Sequence, residues 1–149
     1  LTLTALCSAT GVLTTIHPSG YDVASMAQFQ LLASNLLATI EEAGLSLHWD
    51  FMRYVITKYE PSKTTQSQTA GFLRMALVND ILSNEFLSSE AVSTASALQG
   101  TIYELDPATQ TKKTLDRAIN SFNAVATEIE ALIQQSWGRD ASDVLKGRL

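Results

Sequence analysis

The sequence predicts a helix-rich α/β protein that forms one half of a doubly wound, mostly parallel fold. Residues 12–17 are a continuous apolar run of strand length, and residues 49–59 contain a second one. Segments with helical spacing separate and follow these runs, and such alternation predicts right-handed crossovers and a parallel sheet. Two firm strands and a weak third would leave an edge of the sheet unpaired, so the set of strands is predicted to be incomplete.

The first third of the chain predicts a helix tail, a strand and a long helix. Residues 1–10 are short and apolar, and Gly11 is expected to end that helix. Residues 12–17 carry no alternation, which is typical of a strand buried on both faces. Asp22 is expected to cap the next helix and Gly44 to close it. That helix presents a core-facing stripe of Val23, Met26, Phe29, Ala33, Leu36, Leu37 and Ile40.

Shorter elements follow the second strand. A polar loop at residues 62–68 precedes a helix around residues 72–77, and Ile81 with Leu82 could add a third strand. Residues 88–98 favour a weak helix, and residues 101–105 a short extended segment. The last helix has the clearest pattern, with a stripe of Leu115, Ile119, Phe122, Ala126, Ile129, Ile133 and Trp137. We interpret this stripe as core packing, with a partner-binding seam as the alternative.

Composition limits what the chain can be. A length of 149 residues with 46% apolar residues is enough for one compact domain. The formal charge of −5 is opposite in sign to that of most free-standing nucleic-acid binders, so DNA binding would need a local basic patch. The lone Cys7 indicates a buried inert thiol in a cytoplasmic protein. The polar residues within residues 26–40 favour a core helix over a membrane span, and a first residue other than Met suggests coding sequence upstream.

Several segments resemble one family, in the same order and at similar spacing. They cover nearly the whole chain to Arg139: LTAL (3–6), GVL (11–13), HP (17–18), DV (22–23), SM (25–26), QF (28–29), DFMRY (50–54), TKYEP (57–61), GFLR (71–74), TIYE (101–104), DRA (116–118), EIEALI (128–133) and WGR (137–139). The chain thereby resembles the C-terminal half of ParA-type partition ATPases, in particular the RepA-like proteins of large plasmids. Residues 1–139 would belong to the ATPase domain, and residues 140–149 would be a charged tail.

The resemblance implies a deviant-Walker P-loop NTPase fold and a cycle of DNA segregation. Such proteins dimerise around ATP, bind DNA without sequence preference, and are released when a ParB-type partner stimulates hydrolysis. It also implies a cytoplasmic, nucleoid-associated protein without a membrane partner. The intact protein would use ATP or ADP and Mg²⁺.

The sequence departs from this family because it lacks two motifs, the phosphate-binding loop and the acidic Mg²⁺-positioning motif, which would lie just before Leu1. The G-x-x-x-x-G-K-[ST] phosphate-binding pattern does not occur in the chain. Phosphoryl transfer depends on the backbone N–H groups, the Lys and the metal of that loop. We therefore expect neither tight binding of ATP nor catalysis by this chain alone, and we assign no catalytic or metal-binding residue.

The resemblance points to two groups of nucleotide-site residues. Thr57, Lys58, Tyr59 and Pro61 end the second strand, and with a loop at residues 91–96 they would flank the adenine and ribose; a solvated Lys58–Glu60 pair is the alternative. His17, Pro18 and Asp22 would lie near the nucleotide and the dimer interface. A metal-binding or catalytic role for His17 is disfavoured because no second ligand lies at helical spacing.

Five cations are candidates for non-specific contact with DNA phosphates: Lys63, Arg74, Lys112, Lys113 and Arg117. Cations at a helix N-terminus oppose the helix dipole, which disfavours a purely stabilising role for the last three. An ordinary solvated helix face is the commoner explanation of such a cluster.

Two other classes of function stay open. The chain could be a stand-alone helical interaction module that binds and regulates a ParA-like partner. An unrelated small α/β enzyme ranks last, because the sequence contains no convergent catalytic constellation.

Overall fold

A computed structural model describes residues 2–108 and 111–146 and has a mixed α/β architecture. The helices and strands follow the expected alternation, with a single 3₁₀ turn at Val78–Asp80. The elements are α1 (Thr2–Ser8), β1 (Gly11–Ile16), α2 (Gly20–Glu42), β2 (Phe51–Ile56), α3 (Thr64–Leu77), α4 (Glu90–Ala97) and α5 (Lys112–Lys146). The predicted α/β class is thereby confirmed.

β1 and β2 pair in parallel, from Gly11 opposite Phe51 to Ile16 opposite Ile56. β2 lies at the centre of the core: Tyr54 and Ile56 face one apolar cluster with α3, while Val55 faces another with α5. Among the described residues, the expected third strand is reduced to two isolated parallel bridges, Ile81 with Tyr54 of β2 and Leu87 with Tyr59 just after β2. Between these bridges the backbone N–H groups of Ser83 and Asn84 donate to the Glu128 carboxylate of α5 instead of to another strand.

β1 is not buried on both faces, contrary to prediction. Val12 and Ile16 are buried, whereas Leu13 is 38% exposed. Within the described part of the chain, β1 pairs only with β2, so its outer edge is open. An apolar sequence indicates that both faces of a strand favour burial, but burial of the second face also requires another element that packs against it.

The helix caps of the first half differ in detail from the prediction. Gly11 does not end α1 but begins β1, where an added Cβ would lie 2.5 Å from the Phe51 ring. Ser19, not Asp22, caps α2, because the Ser19 hydroxyl accepts from the backbone N–H of Asp22. The Asp22 carboxylate in turn accepts from that hydroxyl. Gly44 closes the helix with a φ of 76°, as predicted.

α2 contacts the core only through part of its length. Val23 and Met26 pack on the main cluster and Ala33 is buried, but Leu31 is 56% and Leu32 44% exposed. These two leucines lie outside the predicted stripe, whose residues from Val23 to Ile40 form the less exposed face of α2, as predicted. Among the stripe residues, however, Ala33 alone is fully buried and the others are half-buried. By length and composition α2 could also cross a membrane. That test alone does not distinguish a membrane span from a helix that covers a sheet.

Three smaller predictions are also wrong. Cys7 is exposed, because α1 turns Leu6 toward the core instead. Residues 101–105 form turns, in which the Glu104 carboxylate accepts from the backbone N–H and the hydroxyl of Thr101. α5 continues through Gly138 into the predicted tail.

α5 packs on the rest of the protein through small and branched side chains, which differ in part from the predicted stripe. Leu115, Ala118 and Val125 are buried, together with the hydroxyls of Ser121 and Ser136. Ala118 packs against the alanines of α4, where short side chains allow a close approach. The face of Ala126, Ile133 and Trp137 stays at the surface, with Trp137 69% exposed.

Candidate functional site

A cleft of about 370 Å³ lies at the carboxyl end of β2. In open α/β sheets, ligands bind outside the carboxyl ends of parallel strands. Three walls surround the cleft: the end of β2 with Thr57 and Lys58, the start of α4 with Ser89, Val92 and Ser93, and the segment 86–88 together with Phe122. We call it the β2-end cleft.

The first wall is joined to the end of β1. The Thr57 backbone N–H donates to the Ile16 carbonyl at 2.9 Å, and the Thr57 carbonyl lies 3.3 Å from Nδ1 of His17. The next residue, Lys58, has a φ of 52°, in the left-handed region that side chains rarely adopt. Such backbone strain recurs at ligand-binding sites, and here it occurs at the edge of a cleft.

The second wall is the start of α4. Ser89 caps this helix, and its hydroxyl accepts from the Ala91 backbone N–H at 3.3 Å. Residues 91–96 belong to α4, which confirms the helix predicted at residues 88–98, whereas the resemblance implied a loop there. The Ser89 cap and two buried alanines stabilise the helix. Whether this region is a loop or a helix does not change its position: Val92 and Ser93 line the same cleft as Thr57 and Lys58.

The third wall is aromatic. Phe86 and Phe122 meet edge to face, with ring centroids 4.7 Å apart and planes at 61°. Both rings line the cleft, so its inner surface is mainly apolar, whereas Lys58, Ser88 and Ser89 bring polar groups to its edge. An apolar interior with a few polar groups is typical of small-molecule sites.

A cationic surface adjoins the β2-end cleft at the start of α5. A small hollow of about 210 Å³ between Ser89, Lys113 and Arg117 connects the two. A shallow groove of about 890 Å³ continues past Lys112 and Asn120. No carboxylate of the described residues forms an ion pair with Lys112, Lys113 or Arg117.

The other two DNA candidates have anionic partners. Lys63 Nζ lies 2.8 Å from Glu60 Oε1, and Arg74 Nη2 lies 2.7 Å from Glu85 Oε2. Glu60 therefore pairs with Lys63 and not with Lys58. The five candidates are thus divided into two cations with an ion pair and three without one to a described residue. Glu90 and Asp116 line the same hollows as these three cations and reduce the local positive charge.

Of the seven predicted nucleotide-site residues, only Thr57 and Lys58 line the cleft, and the other five lie outside its walls. His17 reaches it only through its contact with the Thr57 carbonyl. Tyr59 is buried, and its hydroxyl lies 3.1 Å from that of Ser67. The Pro61 carbonyl accepts from the same Ser67 hydroxyl. Pro18 is fully buried behind the β1 end. Asp22 lies in the first turn of α2, beside a separate hollow with Ser25 and Phe29.

Two bacterial proteins are similar to this chain in sequence. A protein named "Putative replication protein A" from Rhizobium rhizogenes is 45% identical over 139 residues, which is 93% of the chain and 34% of the relative. A protein of the same name from Sinorhizobium fredii (strain NBRC 101917 / NGR234) is 44% identical over the same shares of both chains. The chain thus spans about a third of the length of these curated relatives.

A solved structure titled "Partition Protein" aligns with 85% of the chain and 31% of its own, with a TM-score of 0.60 and 17% identity. The chain has the fold of part of a partition protein. No protein-family model matches it.

The sequence analysis did not identify the aromatic residues Phe86 and Phe122 or the hydroxyl groups of Ser88 and Ser89 as lining the cleft. Phe122 was assigned to the core stripe of α5, and Phe86 belongs to no regular element. The pair Ser88-Ser89 before Glu90 was a usable signal, because a serine followed by an acidic residue is typical of a helix start. No group of three metal-ligating residues forms within residues 2–108 and 111–146.

Proposed function

We propose that the chain is the C-terminal part of a ParA-type partition ATPase and that its β2-end cleft receives the adenine and ribose of ATP. The observation that carries this proposal is the position of the cleft, at the carboxyl end of a parallel strand in a partition-protein fold. The intact protein would dimerise on ATP, bind DNA non-specifically, respond to a ParB-type partner and act in the cytoplasm on the nucleoid.

The chemistry of the cleft supports an aromatic ligand with an anionic tail. A volume of about 370 Å³ lies within the range of small-molecule pockets, about 300–1,000 Å³. Phe86, Phe122 and Val92 can contact a planar base, and the hydroxyls of Ser88 and Ser89 can bond to a ribose. Lys58 supplies positive charge on the side where phosphates would leave the cleft.

In hydrolysis, this chain and another segment would hold different parts of the nucleotide. Bound Mg²⁺ would neutralise the charge that develops on the transferring phosphoryl group. The residues of this chain would hold the base and ribose and exclude water from them. The phosphate-binding loop has no counterpart in the sequence, so positioning of the γ-phosphate falls to another segment.

Titration of the isotope-labelled chain with ATP, followed by amide chemical shifts, tests the cleft. We expect weak binding at millimolar ATP, with shifts at Thr57, Lys58 and Ser89. Adenosine should reproduce the shifts of the cleft walls, whereas inorganic phosphate should reproduce only those beside the cations. Shifts confined to the start of α5 would overturn the cleft assignment.

A matched pair of variants adds a steric control. Ser93→Trp places a large ring in the cleft, and Ser96→Trp places the same ring on α4 outside its lining. Both positions are exposed, so both variants should fold. We expect only Ser93→Trp to abolish the ATP-induced shifts, and equal binding by both variants would contradict the proposal.

The bare face of α5 favours a second candidate, an interaction module that binds a ParA-like partner. Ala126, Ile129, Ile133 and Trp137 line a surface hollow of about 470 Å³ there. The coding sequence upstream of Leu1 discriminates between the two. A glycine-rich loop with Lys and Ser or Thr supports the ATPase, and an open reading frame that starts at or just before Leu1 supports the module.

A further inference from the structure

The segment from Leu82 to Ser88 is bonded to β2 along one side. The backbone N–H of Leu82 donates to the Tyr54 carbonyl at 2.8 Å, and that of Phe86 donates to the Ile56 carbonyl at 2.9 Å. Tyr59 then donates to the Phe86 carbonyl and accepts from the Ser88 N–H. We call residues 82–88 the edge segment, because they occupy the place of a third strand beside β2.

The other side of the edge segment is bonded to side chains of α5. The Ser121 hydroxyl donates to the Glu85 carbonyl at 2.8 Å and accepts from the Leu87 N–H at 2.9 Å. The Glu128 carboxylate accepts from the backbone N–H groups of Ser83 and Asn84, at 2.7 and 2.9 Å. It also accepts from the Asn84 side-chain amide at 2.8 Å.

These bonds replace those of a neighbouring strand. A sheet edge leaves backbone donors and acceptors unpaired, and proteins cover such edges with other elements. Ser121 and Glu128 are seven residues apart, or two helical turns, so both lie on the face of α5 that meets the edge segment. Ser121 is only 8% exposed, and its hydroxyl both donates one hydrogen bond and accepts one.

The edge segment is also a wall of the β2-end cleft. Phe86, Leu87 and Ser88 line the cleft, and Phe122, which follows Ser121 on α5, packs against Phe86. We infer that Ser121 and Glu128 are positioning residues that hold this wall at the spacing its ligand requires. Where that ligand is the adenine and ribose of ATP, the inference rests on the proposed function. The position of the wall itself does not.

Amide hydrogen exchange of the 149-residue chain tests the wall without any ligand. Ser121→Ala removes the acceptor of the Leu87 N–H, and we expect that amide to exchange at least about tenfold faster, the equivalent of one lost hydrogen bond. Ser136→Ala is the matched control: it is another buried serine of α5, but its hydroxyl bonds to Asp50. It should leave the exchange of Leu87 unchanged.

Titration with ATP then tests the consequence for binding. We expect the apparent Kd to rise about fivefold to tenfold in Ser121→Ala, as for the loss of one positioning hydrogen bond. Glu128→Gln should act similarly, and it provides a second variant if the first does not fold. Ser136→Ala and the exposed-site variant Glu130→Gln should bind like the parent chain, even if their unfolding midpoints fall equally.

The outcomes separate the two ideas. Faster exchange at Leu87 with weaker ATP binding supports the inference. Unchanged exchange, or faster exchange with unchanged binding, overturns it. If the parent chain does not bind ATP but Leu87 exchanges faster in Ser121→Ala alone, the proposed function fails and the wall-fixing role of Ser121 is supported.

Discussion

Lys58 combines an unfavourable backbone conformation with a position at the edge of the cleft. Its φ of 52° costs a residue with a side chain about 1–2 kcal/mol, whereas glycine adopts that angle freely. The sequence places a lysine after β2, but it does not predict the left-handed backbone conformation of that lysine. The turn is imposed by β2 pairing on one side and by the Tyr59 bonds on the other.

Lys58→Gly should therefore stabilise the fold and weaken ligand binding. We expect the free energy of unfolding to rise by about 0.5–1 kcal/mol, after the greater entropy of glycine in the unfolded chain is included. ATP binding should fall several-fold, because the cation at the cleft edge is removed. Urea unfolding and the ATP titration measure the two effects.

Val78→Gly is the control for this prediction. Val78 also has a positive φ, 42°, but it lies after α3 and outside the cleft lining. Its replacement should stabilise the fold without any change in ATP binding. If both variants lost ATP binding equally, the loss would have to come from the relief of backbone strain and not from the removal of the lysine charge.

Glu128 should make stability depend on pH. Burial raises the pKa of its carboxyl, but the hydrogen bonds from Ser83 and Asn84 outweigh that effect and hold the pKa below the ordinary value of 4.5. The folded state thus favours the carboxylate. Its contribution is fully present above pH 4.5 and is lost as the pH falls through the lowered pKa of the folded protein.

Urea unfolding between pH 3 and pH 7 checks this prediction. The parent chain should lose stability toward the acid end, and Glu128→Gln should show a shallower dependence because it cannot titrate. Glu130→Gln, at an exposed position of the same helix, should follow the parent. An unchanged pH profile in Glu128→Gln would show that other carboxyls cause the acid loss.

At the scale of single elements, the local periodicity of the sequence was sufficient to place most helices and both strands. The faces of those elements were harder to predict. The apolar stripe of α5 was correct in its spacing, but the face that packs includes Ala118, Ser121 and Val125. Small and hydroxyl side chains carry little apolar signal, yet they permit the close contact with α4 and the edge segment that decides the orientation.

The start of α5 should be the electrostatic contact for DNA. Lys113 and Arg117 form no ion pair with described residues, whereas Lys63 and Arg74 do. For Lys113→Gln/Arg117→Gln we expect weaker binding at low salt, and a salt slope reduced by about 0.9 for each lost phosphate contact. Fluorescence anisotropy of a labelled duplex at several salt concentrations measures both.

Lys63→Gln/Arg74→Gln is the charge-matched control. It removes the same number of cations, but these already neutralise Glu60 and Glu85, so the salt slope should change less. If the control variant had the larger effect on DNA binding, the DNA contact would have to be assigned to α3 instead of α5. Sequence-selective or salt-insensitive binding would contradict phosphate contact altogether.

At the scale of the whole molecule, the open edge of β1 supports the proposal that the chain is part of a larger fold. The chain covers about a third of its curated relatives and of the partition-protein structure. Leu13 of β1 is exposed where a further layer of a doubly wound fold would cover it. Leu31 and Leu32 are exposed on the face of α2 opposite its half-buried stripe.

We predict no measurable ATP hydrolysis by residues 1–149. The cleft is proposed to hold a base and ribose, but the sequence contains no glycine-rich loop to hold the γ-phosphate and its metal. A coupled steady-state assay with Mg²⁺ measures this, with a longer protein that includes the upstream coding sequence as the positive control. Turnover by the purified chain at a rate that Ser93→Trp abolishes would contradict the prediction.

The sequence by itself determined the α/β class, the parallel pairing and the end of β2 as the place to look for a ligand. Local patterns encode these features, since apolar runs, caps and turn residues act over a few neighbours. Only the tertiary structure decided that Phe86 and Phe122 line one wall of the cleft and that Ser121 and Glu128 bond to the backbone of that wall. These contacts join positions 34 to 45 residues apart. The sequence around a polar side chain does not indicate which distant backbone group that side chain will bond to.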